Sequence, residues 1–469
     1  MNATTARAAV AQHNADLLRS LRLSVAEGIL AMPIVTMSLP VNVFMTALVA
    51  RAFPLPMTTI GLISALPFVG NFLQIFSAPF LAKWQPPKTV TVTAATLHLV
   101  TWVALGILLP WVPRNDPAAA GHWLTAWFLV SSFFSAIAGV SWNAWIEEWV
   151  PGRLRGKYFG RRNGILQVST LTFMLVTGWV VARWNYAIPA FQAIIAGAAF
   201  LRVFSLRWQW RSPTRSRKAA AEAAHPFGRQ LRVVLASRSF LLFVAFGAVW
   251  SFAANCFGPF YSVFMLDQMG FSAFYVGLTA TLSQLGGALS LPAWGQLLDR
   301  YGNKSVMTVS LILWQLPNFL WCFLTPDNSG LLYAMWLWSG ITSAGFVLGQ
   351  FTILLRLIPV EAKNLAIGLN LAMSSLLAAV APVAGGWILS RSLARVTDPL
   401  AVYHACFILQ PVLALAGCTL LLRVREPQAS SLTMVFGAMR NIRTLSGVLG
   451  LSFLTNYIFF KAPPREERP

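Results

Sequence analysis

The sequence predicts an all-α membrane protein with twelve transmembrane helices in two pseudo-symmetric six-helix bundles. Three observations predict it: a composition too apolar for a soluble chain, twelve apolar runs of spanning length, and an internal repeat relating the two halves. Of 469 residues, 57% are hydrophobic and 10% charged, against about 25% charged in an average soluble domain. Mean hydropathy is +0.64. A soluble protein of this size needs more charge on its surface, and a disordered chain needs less hydrophobicity. Both classes are excluded.

Apolar runs fall at 23–50, 57–82, 88–112, 122–148, 163–183, 188–206, 239–266, 271–298, 304–325, 330–357, 364–390 and 400–422. Each is about 20 residues or longer, enough to cross ~30 Å of hydrocarbon at 1.5 Å per residue. The short alternating segments of barrel strands are absent. The weakest break is Arg183-Trp184-Asn185-Tyr186, between the fifth and sixth runs.

Charge orients these runs. The chain has 35 Lys and Arg against 14 Asp and Glu. Such a balance raises nucleic acid as a partner, but the basic residues sit in breaks between apolar runs, so nucleic-acid binding is not expected. One set of breaks holds Arg51, Arg114, Arg183, Arg391 and Arg395; the other set, with both termini, holds the remaining 30. The basic side faces the cytoplasm, which puts both termini inside and makes the number of spans even. The organisation is then a cytoplasmic N-terminus (1–22), a first six-helix bundle (23–206), a basic linker (207–238), a second bundle (239–425) and a cytoplasmic or interfacial tail (426–469). The polar first twenty residues show no cleavable signal pattern. The linker, with Arg207, Arg211, Arg215, Arg217, Lys218, Arg229, Arg232 and Arg238, reads as solvated chain with short helices on anionic lipid. Residues 445–460 read as an interfacial helix. Cys256, Cys322, Cys406 and Cys418 lie in apolar runs without metal-ligand spacing and read as packing residues.

The repeat aligns 60–92 with 276–308 without gaps. Gly61-Leu62 falls on Gly277-Leu278, Gly70 on Gly286 and Lys88 on Lys304. Upstream, Val43-Phe44-Met45 matches Val263-Phe264-Met265, with Pro40 and Pro259 just before the triplets. Two parallel six-helix repeats are a transporter architecture with the solute site between the halves.

The break after the eighth run reads Gly295-Gln296-Leu297-Leu298-Asp299-Arg300-Tyr301-Gly302-Asn303-Lys304. It resembles the G-x-L-x-D-R-x-G-R-K loop of the major facilitator superfamily, and over about 20–425 the whole pattern is similar to that family. A second stretch, Pro151 to Asn163 with Arg153, Arg155 and Gly156, resembles the family's R-G-x-x-x-G loop. The first-half copy of the first loop departs from the pattern: Lys83 stands where Asp299 stands, and Pro79 replaces Gly295. The antiporter signature is missing from the fifth run; Ala381-Pro382-Val383-Ala384-Gly385-Gly386 lies in the eleventh. The resemblance implies a secondary transporter of a small organic solute in the cytoplasmic membrane of a bacterium. It would work by alternating access, without a cofactor, as a monomer, and with protons as a candidate coupling ion. It further implies gating by Gly295, Asp299, Arg300, Gly302 and Lys304 against Arg153, Arg155 and Gly156. The rival reading is a transporter-like sensor or accessory protein that moves no solute. No catalytic or metal-binding motif is present, so no enzyme is expected.

An ionisable side chain inside a span is costly and marks function. Glu27, in the first run, and Glu147, in the fourth, are the candidates for coupling; pairing with nearby arginine is the plainer alternative. Asn42, Asn71, Gln74, Asn255, Gln284, Gln315, Asn318, Gln350 and Asn370 are candidates for solute contact, or equally for holding helices together. With no buried Arg or Lys expected at the centre, they suggest a neutral or weakly charged solute. Trp111, Trp123, Trp149, Trp184 and Trp210 read as interfacial. Trp142, Trp250, Trp314 and Trp338 lie deeper and read as packing. His98 and His404 are expected to be hydrogen-bonded.

Overall fold

The computed structural model describes residues 3–39, 41–150, 152–212, 226–426 and 430–440, with Thr444, Val448 and Leu449. Its helices are α1 (Ala3–Met37), α2 (Val43–Ala47), α3 (Met57–Trp84), α4 (Pro87–Leu108), α5 (Pro117–Trp149), α6 (Gly152–Arg183), α7 (Ile188–Arg211), α8 (Phe227–Ala236), α9 (Arg238–Cys256), α10 (Gly258–Asp267), α11 (Ala273–Tyr301), α12 (Asn303–Gln315), α13 (Leu331–Leu357), α14 (Lys363–Leu393), α15 (Pro399–Arg423) and α16 (Leu432–Met439). Among the described residues, eleven helical stretches are long and apolar enough to cross a membrane. The remaining member of the expected twelve is α11, 29 residues long. Its hydropathy is diluted by Thr279, Thr281, Ser283, Gln284, Ser290 and Gln296.

Three expected spans are interrupted, each at a proline in the sequence. The first divides into α1, then α2 with a wide turn over Leu48–Ala52. Pro40 offers no N–H to continue a helix. Asn42 instead starts α2: its Oδ1 accepts from Met45 N–H at 2.8 Å, and its Nδ2 donates to the carbonyls of Met37 (3.2 Å) and Leu39 (2.8 Å). The seventh divides at Phe257, with Pro259 in the first turn of α10. The ninth passes from α12 into a 3-10 segment, Leu316–Phe323, at Pro317. The weakest expected break is real. Asn185 and Tyr186 take positive φ (48° and 57°), reversing the chain between α6 and α7, and the Tyr186 hydroxyl accepts from Ala273 N–H at 3.1 Å.

The repeat has a structural counterpart. Both matched triplets are buried. A Cβ on Gly70 would lie 2.9 Å from the Ser132 carbonyl of α5, and one on Gly286 would lie 2.6 Å from the Leu337 carbonyl of α13. Lys88 Nζ donates to the carbonyls of Trp210 and Ser212, both at 2.8 Å, where α7 ends. Its partner Lys304 donates to the carbonyls of Leu422 (3.4 Å) and Val424 (3.1 Å), where α15 ends. Each lysine thus satisfies terminal carbonyls that have no helical partner and opposes the negative end of the helix dipole. Lys88→Met and Lys304→Met are each expected to lower thermal stability by about 1 kcal/mol. Detergent melting curves check this, and equal losses are expected from the two halves.

The chain forms two compact units. One comprises Met1–Ala224 with Asn255–Gly277 and Ala378–Arg395. In it α1 packs on α6 and α7, and α5 on α3 and α4. The other comprises His225–Ala254, Leu278–Leu377 and Val396–Pro469. Its core joins Phe243, Phe246, Trp250, Met307, Leu311 and Phe346. There Trp250 stacks on Trp314 (5.0 Å between centroids) and Phe346 (4.6 Å), the packing role expected of the deeper tryptophans. In the linker, α8 buries Val234 and exposes a stripe of Phe227, Leu231 and Leu235. Ala219 to Ala224 lie outside the described residues, as does most of 445–460. In the tail, Val435 of α16 is buried against Trp294, Val306 and Val309.

Candidate functional site

Three charged side chains meet inside the first unit: Glu27 of α1, Arg162 of α6 and Arg202 of α7. All three fall within spanning stretches and are at most 7% exposed. Arg162 Nη2 lies 3.7 Å from Glu27 Oε2, and Arg202 Nη1 lies 3.6 Å from Glu27 Oε1. Glu27 Oε1 also accepts from Gln209 Nε2 (2.7 Å) and from Ser205 Oγ (3.1 Å). Ser205 Oγ in turn accepts from Arg202 Nη1 at 2.9 Å. Arg202, Ser205 and Gln209 sit on one face of α7 at helical spacing. Arg162 is held from two other sides: its Nε donates to the Ser24 carbonyl at 3.4 Å, and its guanidinium lies 4.3 Å from the centre of the Trp142 ring. That stacking suits a planar, weakly hydrated cation.

Glu27, Arg162, Arg202 and Gln209 line a cavity of about 260 Å³, with Ala31, Met32, Val35, His98, Trp142 and Leu166 among its walls. His98 is hydrogen-bonded, as expected: Nε2 accepts from Trp102 Nε1–H (3.0 Å) and lies 2.9 Å from Ser38 Oγ. A second cavity of about 300 Å³ shares Val35, Ser135 and Gly139 with the first. Asn71, Gln74, Asn143 and Ser132 line it.

The sequence candidates therefore divide. Glu27 lies in the first cavity, paired with arginine as the plainer alternative held. Asn71 and Gln74 line the second. Asn42 spends both ends of its amide on the break between α1 and α2. Gln315 and Asn318 hydrogen-bond each other at 3.1 Å, and Asn318 reaches Gln410 at 3.3 Å. Gln284 is exposed, and Asn255, Gln350 and Asn370 are half-buried; none of the four lines either cavity. The side chains of Glu147, Arg153, Arg155 and Gly156 lie outside the described residues.

Among the gating candidates, Gly302 turns the chain between α11 and α12 at φ +86°, and Asp299 and Arg300 are exposed. Gly295 faces only an ordinary contact with Leu348. The start of α12 is capped by Glu426, which accepts from the backbone N–H groups of Asn303 (3.3 Å) and Lys304 (2.7 Å) and pairs with Arg356 at 3.1 Å. An acid at a helix start satisfies free N–H groups and matches the dipole.

One expectation is corrected. Buried arginines do face a cavity, so the ground for a neutral solute is gone. Arg202 stands between Phe200-Leu201 and Val203-Phe204 in an apolar run, and Arg162 immediately precedes the fifth run. The rule that singled out Glu27 applies equally to Arg202. Both arginines had been counted with the cytoplasmic loops; moving them leaves the sign of the asymmetry unchanged.

The chain matches the family model described as Major Facilitator Superfamily twice, over residues 29–256 and 250–465. Among solved structures, it is similar to a D-xylose-proton symporter (TM-score 0.69, 13% identity, covering 88% of this chain and 100% of that one). It is also similar to the nucleoside transporter NupG (0.62, 15%, 87% and 98%). A bacterial homologue of the human lysosomal transporter Spinster gives 0.60 and 15%, covering 96% and 98%. A curated relative, probable anion transporter 3, chloroplastic, of Arabidopsis thaliana, is 25% identical over 108 residues. The match spans 23% of this chain and about a fifth, 21%, of that relative's length.

Proposed function

Because the chain belongs to the Major Facilitator Superfamily, whose members similar to it are solute transporters, we propose that it is a secondary transporter moving a small solute by alternating access, with the Glu27–Arg162–Arg202 cavity as its solute- and proton-handling site. The observation that carries this reading is the cluster itself. Buried charges inside spanning helices are expensive, and they persist where a pathway needs them. Glu27 is an acid whose partners are two arginines on two other helices, so a change in its protonation alters how α1, α6 and α7 attract one another. Alternating access needs such a coupling between occupancy and helix position. The positive-inside asymmetry supports a cytoplasmic membrane with both termini inside. Asp299 and Arg300, exposed on the basic side, are proposed to take part in gating.

Counterflow in proteoliposomes tests this. Vesicles loaded with unlabelled solute are expected to accumulate labelled solute transiently when they hold the protein, and to lose that signal with Arg162→Gln. Absence of counterflow across sugars, nucleosides, carboxylates and phosphate would favour a chain that moves no solute.

A further inference from the structure

We infer that the solute is an anion, gripped through a carboxylate or phosphate group by Arg162 and Arg202 in competition with Glu27. This rests on the cavity being the transport site and adds the substrate class to that reading.

Among the described residues, the charged side chains lining the cavity are one carboxylate and two guanidiniums. A surplus buried cation is costly unless an anion answers it. Glu27 answers it incompletely. Its contacts with them, at 3.6 and 3.7 Å, are beyond hydrogen-bond length. The strong form of this pairing is a bidentate fork at hydrogen-bond distance. Glu27 Oε1 is already engaged by Gln209 and Ser205. Arg202 Nε is buried without a hydrogen-bond partner among the described residues, although arginine carries five donors and never loses its charge. An anion entering beside Glu27 would supply both the missing acceptor and the missing charge. A sugar or nucleoside would supply acceptors and leave the surplus charge in place.

Glu27 is then the site's own competing anion. Among the described residues, the other titratable or charged groups facing it are Arg162 and Tyr158 from α6, Arg202 from α7, and His98, which lines the same cavity from α4. Among these, Glu27 is the carboxylate that competes for both arginines, so replacing it by a neutral side chain strengthens anion binding.

The test is thermal melting of the full-length protein in detergent and chloride-free buffer. The probes are inorganic phosphate, gluconate, glucose and uridine. Phosphate or gluconate is expected to stabilise the wild type. Glu27→Gln is expected to tighten anion binding about tenfold. Arg162→Gln and Arg202→Gln are expected to abolish it. If Arg202→Gln alone does not fold, the triple variant Glu27→Gln, Arg162→Gln and Arg202→Gln, which removes every charge of the cluster, replaces it.

Stabilisation by glucose or uridine alone overturns the inference. So does failure of both anions to stabilise Glu27→Gln, or an anion effect that survives in the triple variant. A shift with phosphatidylglycerol but with neither free anion assigns the site to a lipid headgroup and overturns the solute reading. Melting needs no bilayer, so anion binding without counterflow defeats only the transport reading. Counterflow confined to neutral solutes defeats only the anion inference.

Discussion

Glu27→Leu is expected to destabilise the protein severely. It would strand Arg162 and Arg202, 7% and 5% exposed, without their carboxylate. Removing one partner of a buried pair costs roughly 3–5 kcal/mol, and here two cations lose it at once. Ser205 and Gln209 would also lose their common acceptor. The compensating change is specific: adding Arg202→Leu removes one stranded charge and should recover about half of the loss or more, because contacting residues couple strongly in double-mutant cycles. Arg51→Leu, at a partly exposed pair with Asp267 (3.3 Å), should give no such recovery. Melting curves of the single and double variants check this. A Glu27→Leu protein as stable as the wild type would mean that the cluster is not the electrostatic centre of its unit.

Gly386→Leu should shift the conformation. A Cβ at Gly386 would lie 2.4 Å from the Met57 carbonyl, and one at Gly61 would lie 2.1 Å from the Pro382 carbonyl. The start of α3 and the middle of α14 thus touch backbone to backbone, within one compact unit. The glycines of 381–386, set aside in the sequence because the signature lay in the wrong helix, make this approach possible. Neither carbonyl can yield as a flexible side chain would, and overpacking of this kind costs typically 1–3 kcal/mol. If the wild type alternates between closed and open arrangements here, that cost moves the population toward the open one by about tenfold or more. Leu62 and Val383 flank the contact and are exposed, at 41% and 38%, so spin labels there leave the packing intact. The label pair should report one short distance in the wild type and a second, longer one in Gly386→Leu. An unchanged distribution in a folded variant would mean that this contact is static.

The features legible in the sequence were those written in composition and local chemistry. Apolar length gave the spans, and offset identity gave the repeat, down to Lys88 and Lys304 closing the ends of α7 and α15. The breaks at Pro40, Pro259 and Pro317 were visible as prolines but were read through, since hydropathy averages across a single missing N–H. The site was half legible. Glu27 stood out because its span otherwise holds few charges. Arg202 did not, because orientation by charge sorts arginines into loops before asking whether one lies inside a helix. That Gln209, Ser205 and Arg162 converge on one carboxylate depends on the crossing of α1, α6 and α7, which spacing along the chain does not encode. Glu426, more than 120 residues beyond the helix start it caps, was hidden for the same reason.

Proton-coupled alternating access is tested most directly by driving transport with an imposed pH gradient in proteoliposomes, comparing wild type with Glu27→Gln. The wild type should accumulate labelled phosphate or gluconate against its gradient when the outside is acidic. Glu27→Gln should still exchange labelled for unlabelled anion, yet accumulate none. Accumulation by Glu27→Gln equal to that of the wild type would contradict a coupling role for this carboxylate, and with it the mechanism built on the buried cluster.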